Sequence, residues 1–140
     1  MSERYDIVVG IPSYNEADTI GHVVSMAAQG LSLYFPDRRS IIVNCDNRSP
    51  DGTREAFMAA ETPPGIEKRY IATPEGIKGK GNNFFNLFSF FLTSEASVAI
   101  VVDADLRSIR PEWIQHLGHP IRDGCDFVTP LYSRHQFDGT

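Results

Sequence analysis

The sequence predicts an α/β domain built on a mostly parallel sheet flanked by helices. Three observations point there. Short runs rich in Val and Ile alternate with longer stretches of helical period. The runs at 5–11, 40–46 and 98–103 are nearly continuously apolar, as strands covered on both faces must be. Polar segments follow the runs, at the edge where the loops of such a sheet converge.

In order, the strands are expected at 5–11, 40–46, 68–73, 98–103 and 126–131. A first helix starts near Ala17, because Ile20, Val23, Val24, Ala27 and Leu31 recur at i, i+3, i+4, i+7 and i+11. A second spans 52–61, with Asp51 as its N-cap and Pro63, Pro64 and Gly65 as its stop. A third, 81–93, carries Phe84, Phe85, Leu87, Phe88, Phe91 and Leu92, is apolar around most of its circumference, and is expected to be covered from several sides. A fourth opens at Pro111 and includes Trp113, Ile114 and Leu117. After the fifth run the chain continues YSRHQFDGT without a closing element. A single domain over 1–140, incomplete at its C-terminus, is expected.

Composition removes several classes of function. At 140 residues, 41% hydrophobic, the chain can bury roughly two thirds of its unfolded surface without disulfide staples. Its cysteines, Cys45 and Cys125, lie inside apolar runs with no CxxC spacing and read as buried free thiols in a reducing, cytoplasmic setting. The start MSERYDIVVG lacks the pattern of a signal peptide, and the apolar segments 84–92 and 97–102 are too short to span a membrane. With 13 Lys+Arg against 18 Asp+Glu, a net charge of −5, and no basic cluster beyond two short groups, nucleic acid is excluded as a partner.

Chemistry is expected in the segments after the strands. Asp103 and Asp105 follow the fourth run, and strand alternation would turn both to one side with Ala104 opposite. Paired carboxylates repel unless a cation lies between them, and hard oxygen ligands suit Mg2+ or Mn2+, with a diphosphate completing the shell. The same pair also reads as turn and cap residues leaving a strand. Lys78 and Lys80 alternate with glycines before a helix, suited to phosphate or to a solvated basic turn. Neither GxxxxGK[ST] nor GxGxxG is present. Asp46 reads as a base or ribose acceptor or as an Asx-turn residue; Asn15 and Glu16 read as ribose contacts or as a helix start. His116 and His119 are spaced i, i+3 on an expected helix and read as its exposed face rather than as zinc ligands. His135 falls on the expected functional edge. Trp113 and the 84–91 aromatics read as core.

Taken together, IPSYNEADTI, NCDNRSPDGT, GIKGKGNN and VVDADLRSI, in this order, resemble the signature stretches of the family 2 glycosyltransferases, which have the Rossmann-like GT-A fold. The resemblance spans about residues 5–110. The VDADLRSI block and the closing YSRHQFDGT look closest to enzymes similar to mannosylglycerate and glucosylglycerate synthases.

The resemblance implies transfer of a sugar from a UDP- or GDP-linked donor to a hydroxyl acceptor, such as a glycerate, with Mg2+ or Mn2+. It implies that Pro12, Tyr14, Asn15 and Glu16 line the nucleoside pocket and that Asp46 contacts the base. Asn47 stands where the family's DDGSxDGT stretch has its second acid, and Arg48 replaces its glycine. Lys78 and Lys80 would lie near base or diphosphate. Asp103 and Asp105, flanking Ala104, match the DxD motif, with Asp105 and Asp103 toward the metal and His135 as a further metal ligand. Asp105 and Lys80 would then assist departure of the diphosphate. The acceptor half is expected to be missing, which leaves a non-catalytic donor-binding module as the alternative, with a DxD phosphohydrolase a third. An unfinished sheet edge invites pairing with another chain, so a homo-oligomer stays open.

Overall fold

The computed structural model describes residues 4–73 and 80–114. Seven elements follow one another: β1 (Ile7–Ser13), α1 (Ile20–Tyr34), β2 (Ser40–Asp46), α2 (Thr53–Ala59), β3 (Glu67–Ala72), α3 (Lys80–Ser94) and β4 (Val98–Val101). The strands make one parallel sheet in the order β3-β2-β1-β4. The expected run 126–131, together with His116, His119 and Cys125, lies outside the described residues.

The topology sorts the helices. The chain steps from β1 to β2 to β3, then crosses back to the far side of β1. Right-handed crossovers in opposite directions put their helices on opposite faces. Accordingly Ile7, Val9, Ile11, Ile42, Val98 and Ile100 pack with α1 and with Phe57 of α2. Val8, Ile41, Val43, Cys45 and Val101 pack with Leu87 and Phe91 of α3. Burial pushes the Cys45 thiol up to about 12, so it stays an inert neutral group. Among the described residues α3 is covered on one side only, contrary to its near-uniform apolarity: Phe85 is 69% and Leu92 82% exposed. No helix among the described residues is long and apolar enough to cross a membrane.

Several boundaries differ from the sequence reading for local reasons. At the end of α2, Lys68 Nζ donates to the carbonyls of Phe57, Met58 and Ala60 at 3.1, 2.8 and 2.6 Å and so satisfies the last turn. Burial lowers the pKa of that ammonium. α1 starts at Ile20 rather than near Ala17, with Thr19 at its N-cap, and α2 is capped by Gly52 rather than Asp51.

The decisive boundary is at the end of β4. Its pairing with β1 ends at Gly10↔Val101, whereas the pairing of β1 with β2 continues to Ser13↔Asp46. Val102 N still donates to Gly10 O at 2.9 Å. In a parallel ladder alternate residues turn toward the same neighbour, so the next β1 residue facing β4 is Pro12. Proline has no N–H to offer. Beyond Val102 the chain turns, with Leu106 N donating to Asp103 O and Arg107 N to Asp105 O. Asp103 and Asp105 thus sit in a turn, and the alternation expected to align them does not apply. The two neighbouring strands part here, at the point where strand order reverses and open α/β sheets bind ligands.

A helical turn at 111–114 packs on α1 where Gly30 leaves room. A Cβ on Gly30 would stand 2.5 Å from Pro111 O and 2.6 Å from Ile114 Cβ, whereas one on Gly21 meets nothing closer than Ala56 O at 3.9 Å. Gly30→Ala is therefore expected to destabilise by about 1–3 kcal/mol. Gly21→Ala is expected to be neutral or stabilising by up to about 1 kcal/mol. Urea midpoints measure both, and equal shifts would show that the turn does not press on α1.

Candidate functional site

Three loops meet at the carboxyl edge of the sheet, and hydrogen bonds between them set their shape. The loop from β1 to α1 lends its amides to the loop from β2 to α2. Asn15 N donates to Ser49 Oγ at 2.8 Å, Glu16 N to Thr53 Oγ1 at 3.0 Å and Ala17 N to Asp51 Oδ2 at 3.2 Å. Desolvation alone would raise the Asp51 carboxyl, but the Thr53 hydroxyl and the amides of Ala17 and Thr53 outweigh it and hold the group below its ordinary range.

Asp46 is the hub. It is fully buried, with Ser13 Oγ and Ser49 Oγ donating to Oδ1 at 2.8 and 2.6 Å and Ser49 N and Tyr70 OH donating to Oδ2 at 2.9 and 2.6 Å. A carboxylate has about four lone-pair sites, and all are taken. Burial, then the bond to Asp46 and its charge, push the Tyr70 phenol well above its usual range. With these four partners the side chain organises the loop. Asn47 likewise turns inward, its Oδ1 2.8 Å from the Thr73 hydroxyl.

Across the parted strands a further bond ties the first loop to the DxD turn. Thr19 occupies the N-cap of α1, yet its side chain makes no cap hydrogen bond. Its buried hydroxyl donates to Ala104 O at 2.8 Å. Between these segments lies a cleft of about 490 Å3 lined by Asn15, Glu16, Asp18, Thr19, Asp105 and Arg107. That volume falls within the range of small-molecule sites.

The expected residues divide accordingly. Asn15, Glu16 and Asp105 line the cleft. Tyr14 stands beside it in sequence, 53% exposed. Pro12 is buried within β1, and Asp103 and Ala104 are buried in the turn, 6% and 3% exposed. Lys78, His135 and the side chain of Lys80 lie outside the described residues, although the start of α3 at Lys80 is on the same edge. Asp18, Thr19 and Arg107 were not singled out by sequence. Thr19 carried one usable signal, a Thr directly before the periodic run of α1. Among the described residues no group of three or more His, Cys, Asp or Glu side chains is placed to hold a metal ion.

A family model for glycosyl transferase family 2 matches residues 8–140. The chain belongs to that family. Solved family-like structures share its fold. Glucosyl-3-phosphoglycerate synthase from Mycobacterium tuberculosis, in complex with Mg2+ and UDP, aligns with a TM-score of 0.61 at 22% identity, over 84% of this chain and 39% of that one. Mannosyl-3-phosphoglycerate synthase from Rubrobacter xylanophilus aligns at 0.59 and 19%, over 81% and 34%. A mannosyltransferase from Pyrobaculum calidifontis, in complex with GDP-Man and Mn2+, aligns at 0.55 and 25%, over 75% and 30%. The chain thus spans less than half the length of each.

One residue of the loop is strained. Arg48, which the resemblance sets where a glycine is expected, has φ +56°, a left-handed conformation that costs a residue with a Cβ about 1–2 kcal/mol. Its side chain is exposed. Since glycine's larger unfolded-state entropy offsets part of the relief, Arg48→Gly is expected to stabilise by up to about 1 kcal/mol. A lowered urea midpoint would contradict this reading of the loop.

Proposed function

We propose that the cleft between β1 and β4 binds the diphosphate end of a nucleotide-sugar donor, and that the protein transfers the sugar to a hydroxyl acceptor. One observation carries the reading: two motifs far apart in sequence, around Asn15–Glu16 and around Asp105, line a single cleft at the switch point of the sheet. The neighbours named above, solved with UDP or GDP-Man, support a nucleoside diphosphate as the leaving group. A glycerate acceptor is suggested by the phosphoglycerate synthases among them.

A divalent cation fits the donor set. Asp105 brings a carboxylate to the cleft with Oδ1 buried, and Asp103 lies two residues before it. Mg2+ and Mn2+ favour such oxygens and keep several waters, so one or two carboxylates plus phosphate oxygens make a sufficient shell. Asp105 and Asp103 would hold the ion, with His135 as the further ligand the resemblance implies. The cation would supply charge neutralisation to the departing diphosphate.

The chain's own residues do the positioning. Tyr14 and Asn15 extend from the loop latched by Asp46 and serve the nucleoside; Glu16 serves the ribose. Pro12 shapes that pocket from within β1. Lys78 and Lys80, in the role the resemblance implies for them, add positive charge toward the diphosphate. The reducing interior of a cell suits the buried free thiol of Cys45.

Calorimetry with UDP and with GDP, each with Mn2+ and with EDTA, tests the reading. Binding of one nucleotide is expected to be tighter with Mn2+ than with EDTA, and Asp105→Ala is expected to weaken the Mn2+-supported binding by tenfold or more, on the order of 1.5–3 kcal/mol for a lost charged contact. Equal affinity in the two proteins would remove Asp105 from the metal site.

A further inference from the structure

Among the described residues the cleft is lined by three carboxylates, Glu16, Asp18 and Asp105, and by one cationic side chain, Arg107. A nucleoside diphosphate entering it adds several negative charges, and one divalent ion offsets only two. Arg107 is placed to meet the remainder. Its backbone N–H donates to Asp105 O at 2.9 Å, so the turn that carries the carboxylate also sets where the guanidinium begins. Thr19, through its bond to Ala104 O, holds that turn against the first loop. The Arg107 side chain is exposed, and among the described residues its guanidinium makes no hydrogen bond or ion pair. Arg107 thus brings a planar fork of five donors to the lining of the cleft, a geometry that matches phosphate oxygens two at a time.

We infer that Arg107 is a direct contact for the donor's diphosphate, sharing its charge with the divalent cation. The inference rests on the nucleotide-sugar reading of the cleft and adds a residue to it. Two consequences separate the arginine from the metal. Its contribution persists in EDTA, where the cation is gone. It also acts on the diphosphate alone, because a nucleoside without phosphates offers the guanidinium nothing to bind.

The test uses the full 140-residue chain, wild type against Arg107→Ala and Arg107→Lys. Calorimetry compares uridine with UDP and guanosine with GDP, each in Mg2+ and in EDTA. Arg107→Ala is expected to leave nucleoside affinity within about twofold and to weaken the preferred diphosphate by roughly tenfold or more in both conditions. Arg107→Lys is expected to fall between, keeping the charge and losing the fork. Thermal melts should coincide with wild type, since the side chain is exposed. Unchanged diphosphate affinity in Arg107→Ala overturns the inference, as does an equal loss for nucleoside and diphosphate. A wild-type chain that binds neither UDP nor GDP in Mg2+ overturns the donor reading itself.

Discussion

A single missing donor opens the site. Pro12 stands in a central strand at the position where the next bond to β4 would form, and it has no N–H to give. On its other side β1 continues beside β2 as far as Ser13, so the strand does not fray. Only the β4 side lets go. The chain after Val102 can then turn, carrying Asp105 and Arg107 up to face the loop from β1. A proline that would be costly one bond earlier in the ladder is here the residue that separates two neighbouring strands at their carboxyl ends.

The separation is held at a fixed width by buried polar contacts. Asp46 gathers Ser13, Ser49 and Tyr70, and Ser49 passes that order on to the Asn15 amide. Thr19 reaches across the gap to Ala104. The bonds to Asp46 and from Thr19 satisfy groups that would otherwise be buried without a partner, which gives the loops one arrangement instead of several. The backbone accepts left-handed geometry at Asn15, Arg48 and Gly52 to make it. Rigid loops of this kind suit a site whose work is to orient a charged leaving group.

Much of this was legible from residue patterns. β2 was bounded correctly, because an apolar run ending in Asp has few alternatives, and the stripe of α1 followed its period. What escaped was whatever depends on distant neighbours. Strand alternation turns the two aspartates to one side only while the strand lasts, and the strand ends before them for a reason that resides in Pro12, some ninety residues earlier. Asp46 reads the same from sequence whether it faces a ligand or four internal donors. Thr19 and Ala104 are 85 residues apart, and no local pattern links them. The apolar circumference of α3 suggests cover on several sides, while among the described residues only the sheet covers it.

The most direct test of the account is paramagnetic broadening of amide resonances by Mn2+ in the presence of UDP or GDP. The account predicts selective loss of signal from the segments 14–19 and 103–107, with the opposite edge of the sheet, around Arg39 and Glu67, left sharp. Broadening centred on that opposite edge, or spread evenly over the molecule, would contradict it.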